Sequence, residues 1–390
     1  MAIGNNIGFE QSKDVKSAPV LWSFHSGAAA SGVVVDERGC WVGTESGDVF
    51  TLTPEGVVTG RFRLPSAVKC IVADDFWIYA ACDDNQVYDL SGTVPRVAYE
   101  IPAEIDICSL DIHEGRLCVT DRKGVITAID WDGELLWSNP GDEGGVIQID
   151  SCAVYHGHSA GVTGYDLEAG YLVCHEDTDG AVLSGCQDSN AIYAGTDDNC
   201  VEVVGKNEWA GISYLCDAPV QSCATSPDGR VFAGDDCSSV YCWDMSRCGA
   251  WKWATGCGSA SSMQYHDDKL YLVTTTGTLA CLDVSEAAIR DAEQGVLPET
   301  VPVTAPEISA VVPSNTVEVT SDAGTGIVVE CVLQNGEQCV VAVSPDYVLS
   351  LAVQFPKDLW RSGARYVVDD VDEPERGFFY RVRGDIRQLI

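Results

Sequence analysis

The chain has 390 residues, 46% of them hydrophobic, enough to bury one large core and a second, smaller one. Fifty-nine acidic against 23 basic residues give a net charge of −36, which excludes bare nucleic acid and anionic membrane surfaces as favourable partners. Eighteen cysteines in a chain of this size read as reduced, buried thiols, because disulfide scaffolds belong to short secreted chains that cannot build a core.

The N-terminus, Met1-Ala2-Ile3-Gly4-Asn5-Asn6, has no basic segment leading into an apolar one, and no run approaches about 18 uninterrupted apolar residues. The expectation is a cytoplasmic protein with no cleavable signal and no membrane insertion. Only eight of the basic residues are lysines, and the excess acid is spread over residues 1–356. That balance resembles haloarchaeal proteins of a high-salt cytoplasm, although 18 cysteines are more than such proteins usually carry.

Residues 1–19 read as an N-terminal extension. From there a unit repeats along the chain. The segments GTESGDV, ACDDNQV, VTDRKGV, GHSAGV, GTDDNCV, GDDCSSV and VTTTGTL align on Gly43, Ala81, Val119, Gly157, Gly195, Gly234 and Val273, at steps of 38, 38, 38, 38, 39 and 39 residues. A second apolar column follows at Val49, Val87, Val125, Val162, Val201, Val240 and Leu279, so each unit holds a hairpin with a short polar turn. An apolar run precedes each hairpin, as at 32–35, 70–73, 108–110 and 223–225, and a fourth strand follows, clearest in Glu134-Leu135-Leu136-Trp137 and Trp251-Lys252-Trp253.

Four strands per repeat, seven times over, predict an all-β fold: a seven-bladed β-propeller over residues 20–296. One period before the first repeat, Leu21-Trp22-Ser23-Phe24 matches Leu136-Trp137-Ser138-Asn139, which predicts that an N-terminal strand closes the last blade. Where the seventh repeat should continue, Ser285 precedes the helix-favouring run Glu286–Glu293, in agreement with that closure.

The proline-spaced stretch 297–306 reads as a stiff linker, and 307–390 as a small β-rich domain. Within it, 316–320, 326–333, 338–343 and 347–355 have strand character, with Asn335-Gly336 as a hairpin turn. Residues 357–390 hold seven basic and seven acidic side chains, so this end is neutral. Its aromatic and arginine content, Trp360, Arg361, Arg365, Phe378, Phe379, Tyr380, Arg381 and Arg383, is that of an interface core, either on the propeller or on another subunit.

The run Val125-Ile126-Thr127-Ala128-Ile129-Asp130-Trp131-Asp132-Gly133-Glu134-Leu135-Leu136-Trp137 resembles the signature of PQQ-like propeller repeats. Ser226-Pro227-Asp228-Gly229-Arg230-Val231-Phe232-Ala233-Gly234, with Val240-Tyr241-Cys242-Trp243-Asp244 after it, resembles a WD40 repeat. The resemblance covers about residues 20–295 and implies architecture rather than activity, because such propellers host many functions. The chain departs from the quinoprotein dehydrogenases, whose rings are larger and exported and carry an adjacent cysteine pair absent here. No cofactor is expected.

Among possible sites, the hairpin turns repeat acidic residues at equivalent places: Glu45 and Asp48, Asp83 and Asp84, Asp121, Asp197 and Asp198, Asp235 and Asp236. These predict an acidic ring face, either a dock for a basic segment or simply the turn chemistry of aspartate. His156 and His158 fall on alternate strand positions near Cys174-His175 and are the weak candidates for a metal. Cys70, Cys108 and Cys223 share one blade position and read as packing thiols. No Cys-x-x-Cys pair and no catalytic motif is present. The expectation is a non-enzymatic scaffold for protein partners, with a metal- or small-molecule-binding sensor or enzyme that uses the channel as the alternative.

Overall fold

The computed structural model describes residues 5–7, 16–74, 77–90, 95–101, 106–130, 134–206, 211–244, 249–305, 310, 312, 327–334, 337–342, 353–354, 361, 364–372 and 380–389. The chain divides into two compact units, 1–313 and 314–390.

The first unit is a β-propeller. Its described residues form seven sheets, each with four antiparallel strands in chain order from inside to outside. Blades 1 to 6 span 30–63, 68–100, 107–139, 146–177, 182–215 and 220–254. Blade 7 takes three strands from 260–283 and its fourth from Val20–His25, which pairs antiparallel with Thr278–Asp283 and sets Trp22 opposite Cys281. Successive innermost strands touch in order, and that of blade 7, Ala260–His266, touches that of blade 1, Ala30–Asp36, so the ring closes as the repeat predicts. The chain then leaves the ring through helix Glu286–Glu293, whose first turn is capped by the Ser285 hydroxyl accepting from the Ala288 N–H.

Blade packing explains the first sequence column. A Cβ at Gly43 or at Gly157 would lie 2.6 Å from a methyl of Val68 or of Val182, each on the next blade's innermost strand. In blade 3 the hairpin is longer than the sequence columns imply: Val119 pairs with Thr127 rather than Val125. On the rim, an outer-strand tryptophan docks into the following blade. The Trp22 indole N–H donates to Pro54 O at 3.1 Å and that of Trp137 to Leu167 O at 3.0 Å. Gly56 and Gly170, at φ +87° and +70°, lie so close under these indoles that a Cβ would sit within 2.7 Å of the ring.

Among the described residues, three blades carry a fifth, parallel strand at the outer edge, all from the two ends of the propeller unit. Asn5–Ile7 adds to blade 5, Lys16–Ser17 to blade 6, and Val301–Val303 to blade 7 beside Trp22-Ser23-Phe24. The stretches read from sequence as an extension and a linker therefore contribute ladder strands. Pro302 fits because an edge strand needs no inward-donating N–H at every position.

The second unit holds a sheet in the order Glu337–Ala342, Ile327–Gln334, Arg365–Asp372, Tyr380–Leu389, Val353–Gln354. The hairpin pairing Gln334 with Glu337 matches the Asn335-Gly336 signal, whose own residues lie outside the described set, as does the expected strand 316–320. The long pair Arg365–Asp372 and Tyr380–Leu389 falls where the sequence was read only as an aromatic, arginine-rich end.

Candidate functional site

Each blade's second and third strands meet in a turn, acidic in five of the seven, and in blades 1, 4, 5, 6 and 7 the residue just after the first column braces that turn. Thr44, Cys82, Thr120, His158, Thr196, Asp235 and Thr274 occupy this position, and all are buried. The Thr44 hydroxyl donates to Asp48 O at 2.9 Å and accepts from the Asp48 N–H at 3.1 Å, and that of Thr196 donates to Cys200 O at 3.2 Å. Among the described residues, the turns of every blade but the third are then stitched to the loops beside them by backbone bonds such as Glu45 N–H to Ala29 O, Asp83 N–H to Ala67 O, Asp197 N–H to Ala181 O and Asp236 N–H to Pro219 O. One end of the ring thereby presents hairpin turns held in place by hydrogen bonds.

The acidic residues divide into two groups on this face. Glu45, Asp83, Asp84, Asp197, Asp198 and Asp236 are exposed. Asp48, Asp121 and Asp235 are buried, which corrects their assignment to a binding surface. Asp121 accepts from the N–H groups of Lys123 and Val125. Asp48 accepts from Arg61 at 2.9 Å and from Arg63 at 2.7 Å; burial pushes its carboxyl up, but the two guanidinium groups outweigh that and hold it below the usual range. Asp235 accepts from the N–H groups of Cys237 and Ser239 and from the Tyr241 hydroxyl, yet with no cation in contact its burial wins and pushes the carboxyl up.

Part of the exposed charge is also engaged. Lys69 pairs with Asp83 at 2.7 Å and Arg122 with Asp106 at 3.2 Å, and Lys252 pairs with Asp217. Beside Asp83 and Asp84, a shallow cleft of about 300 Å³ is lined also by Asn85, Gln86, Glu100 and Ile101. Sequence reasoning missed Asp142 and Glu143, which an inter-blade loop brings to the same face: Glu143 O accepts from the Ser159 N–H of the blade 4 turn.

The histidines do converge. His156 and His158 are buried with ring centroids 5.3 Å apart, and part-exposed His175 stacks on His158 at 5.8 Å. The bonds fix their tautomers. The Ala160 N–H donates to His158 Nδ1 at 3.2 Å, so His158 Nε2–H donates to Thr163 Oγ1 at 2.8 Å. The Thr163 hydroxyl then donates to His175 Nδ1 at 2.8 Å, and His175 Nε2–H to Asp177 at 3.2 Å. All members of this relay lie within blade 4. His156 differs: its Nδ1 is buried without a partner, and burial lowers its pKa to about 4. Among the described residues no three His, Cys, Asp or Glu side chains form a group that could hold a metal.

Sixteen described cysteines are free thiols. Burial pushes Cys70, Cys242 and Cys281 up to about 12, and Cys223 is buried as the packing reading requires, whereas Cys108 is exposed. In the second unit, Arg361 and Arg365 are exposed, and Arg365 donates to Glu330 at 2.8 Å. The ladder sets Arg381 opposite Asp372 and Arg383 opposite Asp370, on the strand that begins at Tyr380. Trp360, Phe378 and Phe379 lie outside the described residues.

A model of PQQ-like propeller repeats described as outer membrane protein assembly factor BamB matches residues 14–286. The chain belongs to that family. The matched BamB-type region takes in the closing strand, all seven blades and the first residue of helix Glu286–Glu293. Among solved structures, the WD40 β-propeller domain of Doa1 is similar with a TM-score of 0.59 at 10% identity, over 70% of this chain and 98% of that one. The computationally designed Ika8 protein is similar with a TM-score of 0.54 at 14% identity, over 69% of this chain and 99% of that one. At these identities the likeness is one of fold. A search of curated proteins finds no match.

Proposed function

We propose that this BamB-type propeller is a non-catalytic scaffold of an intracellular complex, with the propeller and the C-terminal unit as separate docking surfaces. The observation that carries the reading is the hairpin face, whose turns are clamped by buried side chains and stitched by backbone bonds while six acidic side chains point outward. A preorganised surface of this kind binds partners without first being ordered. The description of the family as an assembly factor supports a docking role, and free thiols suit a reducing compartment.

Affinity purification from the native host at its own salt, with the full chain and with a chain ending at Thr304, tests the reading. That truncation keeps the Val301–Val303 strand, so the propeller stays capped. A stable partner on the full chain is the expected result. Turnover of a substrate by purified protein with no stable partner would contradict it.

A further inference from the structure

The outer edges of the blades are unequal. On blades 5, 6 and 7 a short parallel fifth strand pairs with part of the outer strand, whereas on blades 1 to 4 nothing pairs with it among the described residues. Uncovered edges are templates for pairing and are normally blunted with charge. Blades 1 and 2 follow that rule: the outer strand of blade 1, Val58–Arg63, carries Arg61 and Arg63, and that of blade 2, Arg96–Glu100, has a charged residue at each end.

Blade 3 breaks it. Its outer strand, Leu135–Asn139, has the uncharged sequence Leu-Leu-Trp-Ser-Asn, with Leu135 64% and Leu136 38% exposed. Next to it, at the rim of blade 4, Tyr171, Leu172 and Val173 are 63%, 63% and 53% exposed. The two groups are neighbours, because Asn139 donates to Gly170 O and Trp137 to Leu167 O. Around them the exposed charges are mainly acidic, Glu134, Glu168 and Asp177, with Arg116 already paired to Glu168.

We propose that the edge of blade 3, with the Tyr171–Val173 ledge beside it, takes an extended segment of a partner protein as a fifth, parallel strand, and that this segment alternates aliphatic residues with lysine or arginine. This rests on the scaffold reading and names one of its surfaces. Parallel addition is the mode the ring already uses three times, on blades 5, 6 and 7. The ladder supplies affinity, the ledge receives the aliphatic side chains, and the acidic surround selects the basic ones.

The test uses the full chain and a labelled nine-residue peptide of alternating lysine and valine, followed by fluorescence anisotropy. A peptide of equal charge with two valines replaced by proline separates ladder formation from charge attraction, since proline cannot donate. The expected result is binding of the first peptide only, weakened about tenfold by Leu136→Lys, several-fold by Leu172→Lys with Val173→Lys, and under twofold by Val57→Lys on blade 1. These side chains are exposed, so an unchanged melting temperature verifies the fold of each variant. Equal binding of both peptides, no binding, or equal affinity in all variants overturns the proposal. With the native partner, retention by Leu136→Lys overturns the edge and leaves the scaffold reading standing, whereas a wild-type chain that holds no partner overturns both.

Discussion

Blades 5 to 7 and blades 1 to 4 are built from one repeat but end differently at the rim. The first group is finished by short strands from the ends of the propeller unit, and the large aromatic side chains on its outer strands are enclosed: Tyr214 on blade 5, Trp251 and Trp253 on blade 6 and Trp22 and Phe24 on blade 7 are all buried, while Leu215, beyond the paired residues of blade 5, is 40% exposed. On the second group no fifth strand pairs with the outer strand among the described residues, and blades 3 and 4 expose aliphatic side chains there. A ring needs its inner strands for closure, but the outer edge is free for other use wherever the chain does not fill it.

The largest effect that separates the two groups is expected at the docked tryptophans. Trp22→Ala loses a buried indole on the strand that closes the ring and should cost ~3–5 kcal/mol. Trp137→Ala loses a similar indole from an open blade that needs no closure, so a smaller loss is expected in chemical denaturation at fixed salt. Equal losses would break the distinction.

His156 gives the next effect. Its equivalents in the other blades, Val42, Ala80, Cys118, Ala194, Ala233 and Leu272, are all fully buried and none carries a ring nitrogen. With its folded pKa near 4 against an ordinary 6.5, the unfolded chain binds the extra proton between those values. Stability contributed here is present above pH 6.5 and falls by about 3 kcal/mol as the pH drops to 4. His156→Val should flatten that slope in thermal melts and raise stability at pH 5. A slope unchanged by the substitution would contradict the assignment.

A smaller contrast lies between two buried turn carboxylates. Asp48 on blade 1 is held ionised by Arg61 and Arg63, so its stabilisation is present above the ordinary carboxylate pKa and is lost as pH falls through its lowered one. Asp235 on blade 6 has the opposite sign: its raised pKa favours the folded state at low pH, and that benefit is lost as pH rises. At pH 7, Asp48→Asn should cost ~1–2 kcal/mol and Asp235→Asn less, since a neutral amide still accepts from Cys237 and Ser239. The reverse order in urea titrations would overturn the pairing scheme. The smallest effect is at the caps, where Val301→Lys on an exposed side chain should cost about 0.5 kcal/mol or less.

The repeat made the blades legible because a hairpin at constant spacing needs both a small or apolar column and a polar turn. Trp22 was legible as the closing strand for the same reason, and the helix through Ser285. The caps were not, since Asn5–Ile7 and Lys16–Ser17 are too short to alternate and Val-Pro-Val reads as linker until an edge accepts its proline. The acidic turns were half legible: residue type placed Asp48 and Asp235 in turns, but only Arg61, Arg63 and the turn amides reveal that they point inward. Leu135-Leu136 gave no warning, because an aliphatic pair before a buried tryptophan reads as core. Its 64% and 38% exposure, with no fifth strand beside it among the described residues, is what reveals it.

Hydrogen exchange on the full chain, without partner or peptide, tests the difference between finished and open blades most directly. Amides of Ile212–Tyr214, Trp253–Ala254 and Trp22–Phe24, where the fifth strands pair, should exchange at least about tenfold more slowly than the fastest amides of Leu135–Asn139 and Leu172–Asp177. Equal protection of all five outer strands would mean that the edge of blade 3 is already covered and has no strand to accept.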